Sequence, residues 1–552
     1  MSRGLPRKPR QFDILPLVGN NGSGFWGSWN QPTAIRRVEW SSNITLFPWL
    51  SEFVCIVLDK LSKKASRAEN HFDSSVKRVW HVMNPCPLRK VRVPVVLIRE
   101  RQTLARDKTM ASSLVPPTNR RRQDSQPCAF VNDPLVLGYY QSFHPAHPIL
   151  LSLPSLRGSL ARTVPGHVVA AVRYIGARYM QKKDVESTLY KEAARVLCSP
   201  QADGYHVQSR LLLAIAAHGN GEHEQAQQIL DHTITMALNL GMHTAKFATE
   251  HANGSPALED MWRRTFWELF AVDTLFGVLH ERVPRLQEVL TDVPLPGDEA
   301  MYLDHEMTVA TSYAPPDPWN ENWAARSFDR VSSYARRIEA LMLLARITAR
   351  SRAIQPAQQS TTTVPDAVVN SLDEGLTRCR DGVPSLDDAF FKNQGTFDEM
   401  AYQTLIIIYS ATIYLFRPYS PLSLIPVTPP LPYPYPYFNS SFRKNASINM
   451  TNLSPTTRKL ILAADSLCDL LSLPIPARRH SPFLIHAVSL GVLVHTAACV
   501  ARYREEWHTQ ESLQVRIECG VGVLRKMAEI WPLADRTKAI MVDVWRGVRD
   551  SC

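Results

Sequence analysis

The sequence predicts an all-α fold, a large multi-helix domain of stacked antiparallel helices preceded by a basic, poorly ordered N-terminal segment. Three observations carry that expectation. Between about residues 130 and 550, apolar side chains recur at three- and four-residue steps, the period of one helical face. Alternating strand patterns hardly occur. The basic excess is confined to the N-terminal quarter: residues 1–124 hold 22 Lys+Arg and 9 Asp+Glu, and the rest of the chain holds 40 and 42. With 45% apolar and 20% charged residues in 552, the chain has the material for a sizeable core.

The stretch 1–125 shows no sustained period. Gly, Asn and Ser cluster at Gly19–Trp29, and the strand-like run Val91–Ile98 is broken by Pro94. Basic pairs recur through it and end in the triplet Arg120, Arg121 and Arg122. A basic arm on a near-neutral body suits nucleic-acid contact or nuclear import, so this triplet is the candidate DNA or import element. Met1–Arg10 lacks the apolar stretch of a secretory signal, and Cys552 does not form a prenylation box.

A helical domain is expected over 126–420. It opens with a short helix over Asp133–Phe143, stopped by Pro145 and Pro148. Val207–His218 and Glu222–Leu240 form an αα-hairpin around a Gly219-Asn-Gly221 turn, with Ala226, Ile229, Leu230, Thr233, Ala237 and Leu240 as one buried stripe. Gly241 suits a left-handed helix end. Asp260–Phe276 carries Trp262, Phe266, Leu269 and Phe270 on one face and is expected to be central to the core. Thr291–Pro296 is extended, pinned by two prolines. Phe328–Arg350 and Asp398–Phe416 are long helices, separated by a span that includes the polar loop Gln355–Thr363. A Pro/Tyr- and Ser/Asn-rich loop occupies 421–455, a stiff spacer. Helices over 456–552 then complete the same domain: Thr456–Leu473, Pro482–Glu506, Leu513–Ile530 and Ala534–Arg549. Pro482–Ala501 has the length of a membrane span, but His486, Ser489, His495 and Thr496 favour a buried helix.

Motifs of chemistry are missing. The nine cysteines are dispersed, without a C-x-x-C pair, which predicts free thiols in a reducing compartment and no zinc. His218–Glu224 gathers two histidines and two glutamates but lacks the H-E-x-x-H spacing, and reads as a solvated turn. Ser74-Ser-Val-Lys77 has no partner motif, and no G-x-S-x-G, P-loop or strand-flanked dinucleotide fingerprint occurs. No catalytic, cofactor-binding or metal-binding residue is expected, and the chain is not expected to be an enzyme.

Several stretches, in order, resemble the middle homology region of fungal zinc-cluster (Zn2Cys6) transcription factors. Ala237-Leu-Asn-Leu-Gly-Met-His243 is similar to that family's Ala-x-x-Leu-Gly-Leu-His hairpin end. Arg263-Arg-Thr-Phe-Trp-Glu-Leu-Phe-Ala-Val-Asp273 resembles its Arg-Arg-x-Trp-Trp helix with a closing Asp, Phe266 replacing the first Trp. Asp292-Val-Pro-Leu-Pro296, Tyr140–Ile149 and Ile530–Arg536 resemble its Asp-Val-x-x-Pro loop, its His-Pro segment and its terminal Trp-Pro motif. The resemblance implies an all-α regulatory domain in which Arg263, Arg264, Trp267, Asp273, Asp292, Pro294 and Pro296 are structural motif residues. It implies a nuclear transcriptional regulator of a pathway-specific gene set, a secondary-metabolite cluster or a catabolic route. The family's six-cysteine module has no counterpart here: Cys55, Cys86 and Cys128 stand alone. DNA is therefore reached directly or through a zinc-cluster partner protein, with the transcription machinery as a further partner, a dimer allowed and no membrane involved. The alternative is a ligand-sensing or scaffold helical protein without a direct DNA role.

Overall fold

The computed structural model describes residues 130, 132–156, 164–297, 332–353, 367–383, 391–392, 396–420, 422, 454–476, 479–501 and 509–549. They fall in one compact unit of the chain, Thr118–Cys552. The 1–125 segment with its candidate strand Val91–Ile98, the triplet Arg120, Arg121 and Arg122, the polar loop Gln355–Thr363 and nearly all of 421–455 lie outside the described residues.

Fourteen α-helices make up the described fold. They are α1 (Pro134–Ser142), α2 (Gly166–Tyr179), α3 (Lys183–Ala194), α4 (Gly204–Asn220), α5 (His223–Asn239), α6 (Ala245–His251) and α7 (Pro256–Leu279). There follow α8 (Ser333–Ala353), α9 (Ala367–Asp381), α10 (Glu399–Phe416), α11 (Pro455–Leu471), α12 (Leu484–Val500), α13 (Gln510–Met527) and α14 (Pro532–Arg549). The one ladder among the described residues is β1 (Phe391–Lys392) paired antiparallel with β2 (Thr396–Phe397).

Local chemistry fixes many of the starts. A side chain at the N-cap satisfies one of the free amides that every helix leaves at its first turn. Asp133, Asp203, Ser255, Asp398, Ser454 and Thr509 do this for α1, α4, α7, α10, α11 and α13. Pro134, Pro256 and Pro455 stand at the first helical position, where a missing N–H costs nothing.

Neighbours in sequence are largely neighbours in space, and α14 returns to pack on α4. The hairpin α4/α5 is tighter than expected. Its first helix continues through Gly219 and Asn220, and Gly221 (φ +76°) closes it. Gly219 serves packing instead of the turn: a Cβ there would lie 2.2 Å from Trp531, the buried tryptophan just before α14. Gly241 follows α5 at φ +77°, the left-handed conformation that glycine adopts without strain.

Helix α7 runs through the centre. Its apolar and aromatic residues are buried nearly all round, so the single-face expectation understates it. α7 touches α4, α5 and α6 on one side and α8 on another. Helix α12 is likewise buried over almost its whole length, and no described helix is long and apolar enough to cross a membrane.

Candidate functional site

The centre of the described fold holds a carboxylate. Glu268, midway along α7 and between Trp267 and Leu269, is fully buried. Arg337 of α8 meets it with a two-pronged bond, Nη1 to Oε2 at 2.7 Å and Nη2 to Oε1 at 3.1 Å. The Tyr334 hydroxyl donates to Oε2 (2.8 Å) and His147 Nδ1 donates to Oε1 (2.7 Å). These four bonds occupy the acceptor sites a carboxylate offers. Burial alone would raise the Glu268 pKa, but the Arg337 guanidinium and the His147 bond outweigh it and hold the carboxyl at about 2. The far nitrogen of His147 lies 2.9 Å from Ser481 Oγ, which itself accepts from Phe483 N (3.2 Å). One network thus joins the loop after α1, α7, α8 and the segment before α12.

The motif residues of α7 and its following loop are fastened to each other. Arg264 pairs with Asp260 (2.6 Å) and donates to Gly297 O (3.0 Å), while Asp260 accepts from Gly297 N (3.2 Å). Trp267 is fully buried and its indole N–H donates to Pro294 O at 3.0 Å. Asp273 accepts from Arg282 Nη2 and from Leu286 N, both at 2.8 Å, pinning the turn that leaves α7. Burial pushes the Asp273 pKa up despite Arg282 beside it. Asp292 accepts from Ala245 N (2.7 Å) and so caps α6 from 47 residues away. Pro296 O accepts from Ser332 Oγ (2.6 Å). Arg263 sits on the outer face in an ion pair with Glu259. Asp260 is a buried partner of Arg264, and Glu259 is the acidic residue in the first turn of α7.

Beside the Glu268 network opens a small cleft, about 60 Å3 in volume, lined mostly by apolar side chains. Leu275, Val278 and Leu279 from the end of α7 form one wall, and α10 with residues 480–487 form the others. Its polar lining is mostly spoken for. His480 Nδ1 lies 3.1 Å from both carboxylate oxygens of Glu399, with its ring stacked on Tyr402 at 4.5 Å. Gln403 Nε2 donates to Ala146 O (3.0 Å) and Glu399 Oε1 (3.2 Å). The Tyr414 hydroxyl meets His486 Nε2. Burial, helped by His280, pushes the His486 imidazole down to about 3. The hydroxyl of Ser410, midway along α10 and 6% exposed, has no hydrogen-bond partner among the described residues.

Two histidine groupings lie apart from the cleft's polar lining. His218, expected in a solvated turn, is buried and stacks on Phe483 at 4.4 Å, because α4 extends past it. His167, Asp203 and His206 bring ligand atoms within 4.8 Å of one another, the one such grouping among the described residues. Asp203 Oδ1 already accepts from both His206 N and His206 Nδ1 at 2.8 Å, the work of an N-cap. Of the described cysteines, Cys379, Cys468 and Cys499 are buried, Cys198 is exposed and Cys519 intermediate.

The fold and its centre define an α-helical body built around a fully paired charge and an adjoining apolar cleft. Residues 136–337, from α1 into α8, match the fungal specific transcription factor domain, and the chain carries that domain there. Over 421 residues the chain is 25% identical to the C6 finger domain transcription factor iacK of Pestalotiopsis fici. That match covers 74% of this chain and 59% of the relative. No solved structure matches the chain.

Glu268, Arg337, His147, Ser481 and Ser410 were not singled out by sequence reasoning. One signal for the first existed: an acidic residue in a run that is otherwise aromatic and aliphatic, Phe266–Val272, has no solvent-facing side to occupy.

Proposed function

We propose that this protein is a nuclear transcriptional regulator of a pathway-specific gene set, a secondary-metabolite cluster or a catabolic route. The observation that carries the reading is the domain match at residues 136–337, which spans the helices fastened together around Glu268. The likeness to a C6 finger domain transcription factor supports it. The basic segment 1–125, with Arg120, Arg121 and Arg122, supplies the charge for direct phosphate contact or nuclear import. Sequence-specific binding falls to this chain or to a zinc-cluster partner, and the helical body 126–552 holds partners and transcription machinery, as a monomer or a dimer. Catalysis has no place in this reading.

Transcript profiling of a deletion strain, paired with chromatin crosslinking of the tagged chain, tests it. A coherent gene set should change, with the chain at its promoters. Unchanged transcripts and exclusion from the nucleus would favour the second reading, a ligand-sensing protein without a DNA role.

A further inference from the structure

We infer that Cys468 and Cys519 are a reactive thiol pair, an oxidation site that closes to a reversible disulfide and staples α11 to α13 when a hydroperoxide is present. The pair's chemistry is independent of what the chain regulates.

The two cysteines are fixed across a pair of packed helices. Cys468 Sγ lies 3.8 Å from Arg516 O, one turn before Cys519 on α13. Cys519 Sγ lies 3.5 Å from Ser472 Oγ, one turn after Cys468 on the α11 side. Each sulfur is thus set beside a residue one turn from the other cysteine, and the two thiols share a hydrogen bond. Arg516 crosses the same seam. Its guanidinium meets Asp465 Oδ1 (3.2 Å) and Asp469 Oδ1 (2.9 Å), both on α11.

The thiols are unequal. Cys468 is 7% exposed, whereas Cys519 is half-buried. The hydrogen bond from Cys468, with Ser472 and the Arg516 guanidinium, outweighs burial and the nearby Asp469 and holds the Cys519 thiol below its ordinary value. That same bond, together with burial, pushes the Cys468 thiol up. Cys519 is therefore the nucleophile and Cys468 the thiol that resolves it. The Cys519 thiolate attacks one oxygen of the hydroperoxide and the O–O bond breaks. Cys519 becomes a sulfenic acid, and the other oxygen takes up a proton and leaves as water or an alcohol. Cys468 then attacks the sulfenic sulfur. The S–S bond forms, and the Cys468 proton departs with the sulfenic hydroxyl as water. The two thiols lose two electrons, which the peroxide gains, and a dithiol reductant restores both by exchange. Transient, redox-sensing disulfides are the kind that a reducing compartment allows.

Hydrogen peroxide added to the purified full chain, followed by alkylation and non-reducing peptide mapping, tests the pair. The first cross-link should join Cys468 to Cys519 and vanish with dithiothreitol. Cys519 should oxidise roughly tenfold faster than Cys198, although Cys198 is the more exposed, because thiolate character and not access sets the rate. Cys468→Ser should leave Cys519 as a sulfenic acid that dimedone labels, and Cys519→Ser should abolish the cross-link and that label alike. Oxidation of Cys198 before Cys519, or a first disulfide that involves any other cysteine, would overturn the proposal. So would dimedone labelling of Cys519 as strong in the unaltered chain as in Cys468→Ser.

Discussion

Two polar regions lie side by side in this protein and follow opposite rules. Around Glu268 every acceptor of a buried carboxylate is filled, by Arg337 and Tyr334 of α8 and by His147 from the loop after α1. In the adjoining cleft Ser410 is buried among aliphatic and aromatic walls, its hydroxyl without a hydrogen-bond partner among the described residues. Ser481 belongs to both, lining the cleft while bonding His147. The contrast separates two kinds of polar position in an all-helical body without catalytic motifs: a carboxylate with every acceptor filled fixes the packing, and a serine in the adjoining cleft takes no part in that network.

Breaking the closed region should have the largest effect. Glu268→Leu or Arg337→Met alone strands the other charge in the core and should destabilise by about 3–5 kcal/mol. The double variant, which removes both charges, should recover most of that loss in urea unfolding. A double variant as unstable as the singles would show that the charges do more than satisfy each other.

Acid should act next. The Glu268 carboxyl, held at about 2 against an ordinary 4.5, stabilises the fold above pH 4.5 and loses that contribution as pH falls toward 2. The loss is on the order of 3 kcal/mol, and Glu268→Gln should not show it. On the cleft side the window is higher. His486 stays neutral in the fold down to about 3 while the unfolded chain takes a proton near 6.5, so stability should already decline below pH 6.5. His486 contributes about 2 kcal/mol of that decline by pH 5, and His486→Gln should reduce it by that much while the parts from buried His218 and from His280, likewise held low, remain.

Much of the scaffold was legible in the sequence. The stripe on α5, the aromatic run of α7 and the capped starts of α1 and α10 each carry a local signal, and the helices form within a few residues of where that signal lies. Four helices escaped. Helix α2 is rich in small and aromatic residues buried on most sides, so no single stripe stands out. Helix α3 buries little beyond Leu189 and Ala193, too few to mark a face, and α6 is short. Helix α9 follows a polar stretch and begins with an exposed Val368. Gly219 misled because a glycine pair signals a turn, whereas one of the two makes room for Trp531. The site itself was illegible for a plainer reason. His147 meets Glu268 across 121 residues and Ser481 across 334, and Arg337 meets Glu268 across 69. No periodicity encodes such pairs.

Serine-to-alanine substitution at two positions of equal burial sets the two regions against each other most directly. Ser410 and Ser481 are each 6% exposed and both line the cleft. In urea unfolding, Ser481→Ala should cost about 1–2 kcal/mol, because His147 and Phe483 N lose their partner. Ser410→Ala should leave stability unchanged or raise it by up to about 1 kcal/mol, since it removes a buried hydroxyl that bonds nothing. Equal losses at the two positions would contradict the distinction between a closed centre and an open cleft.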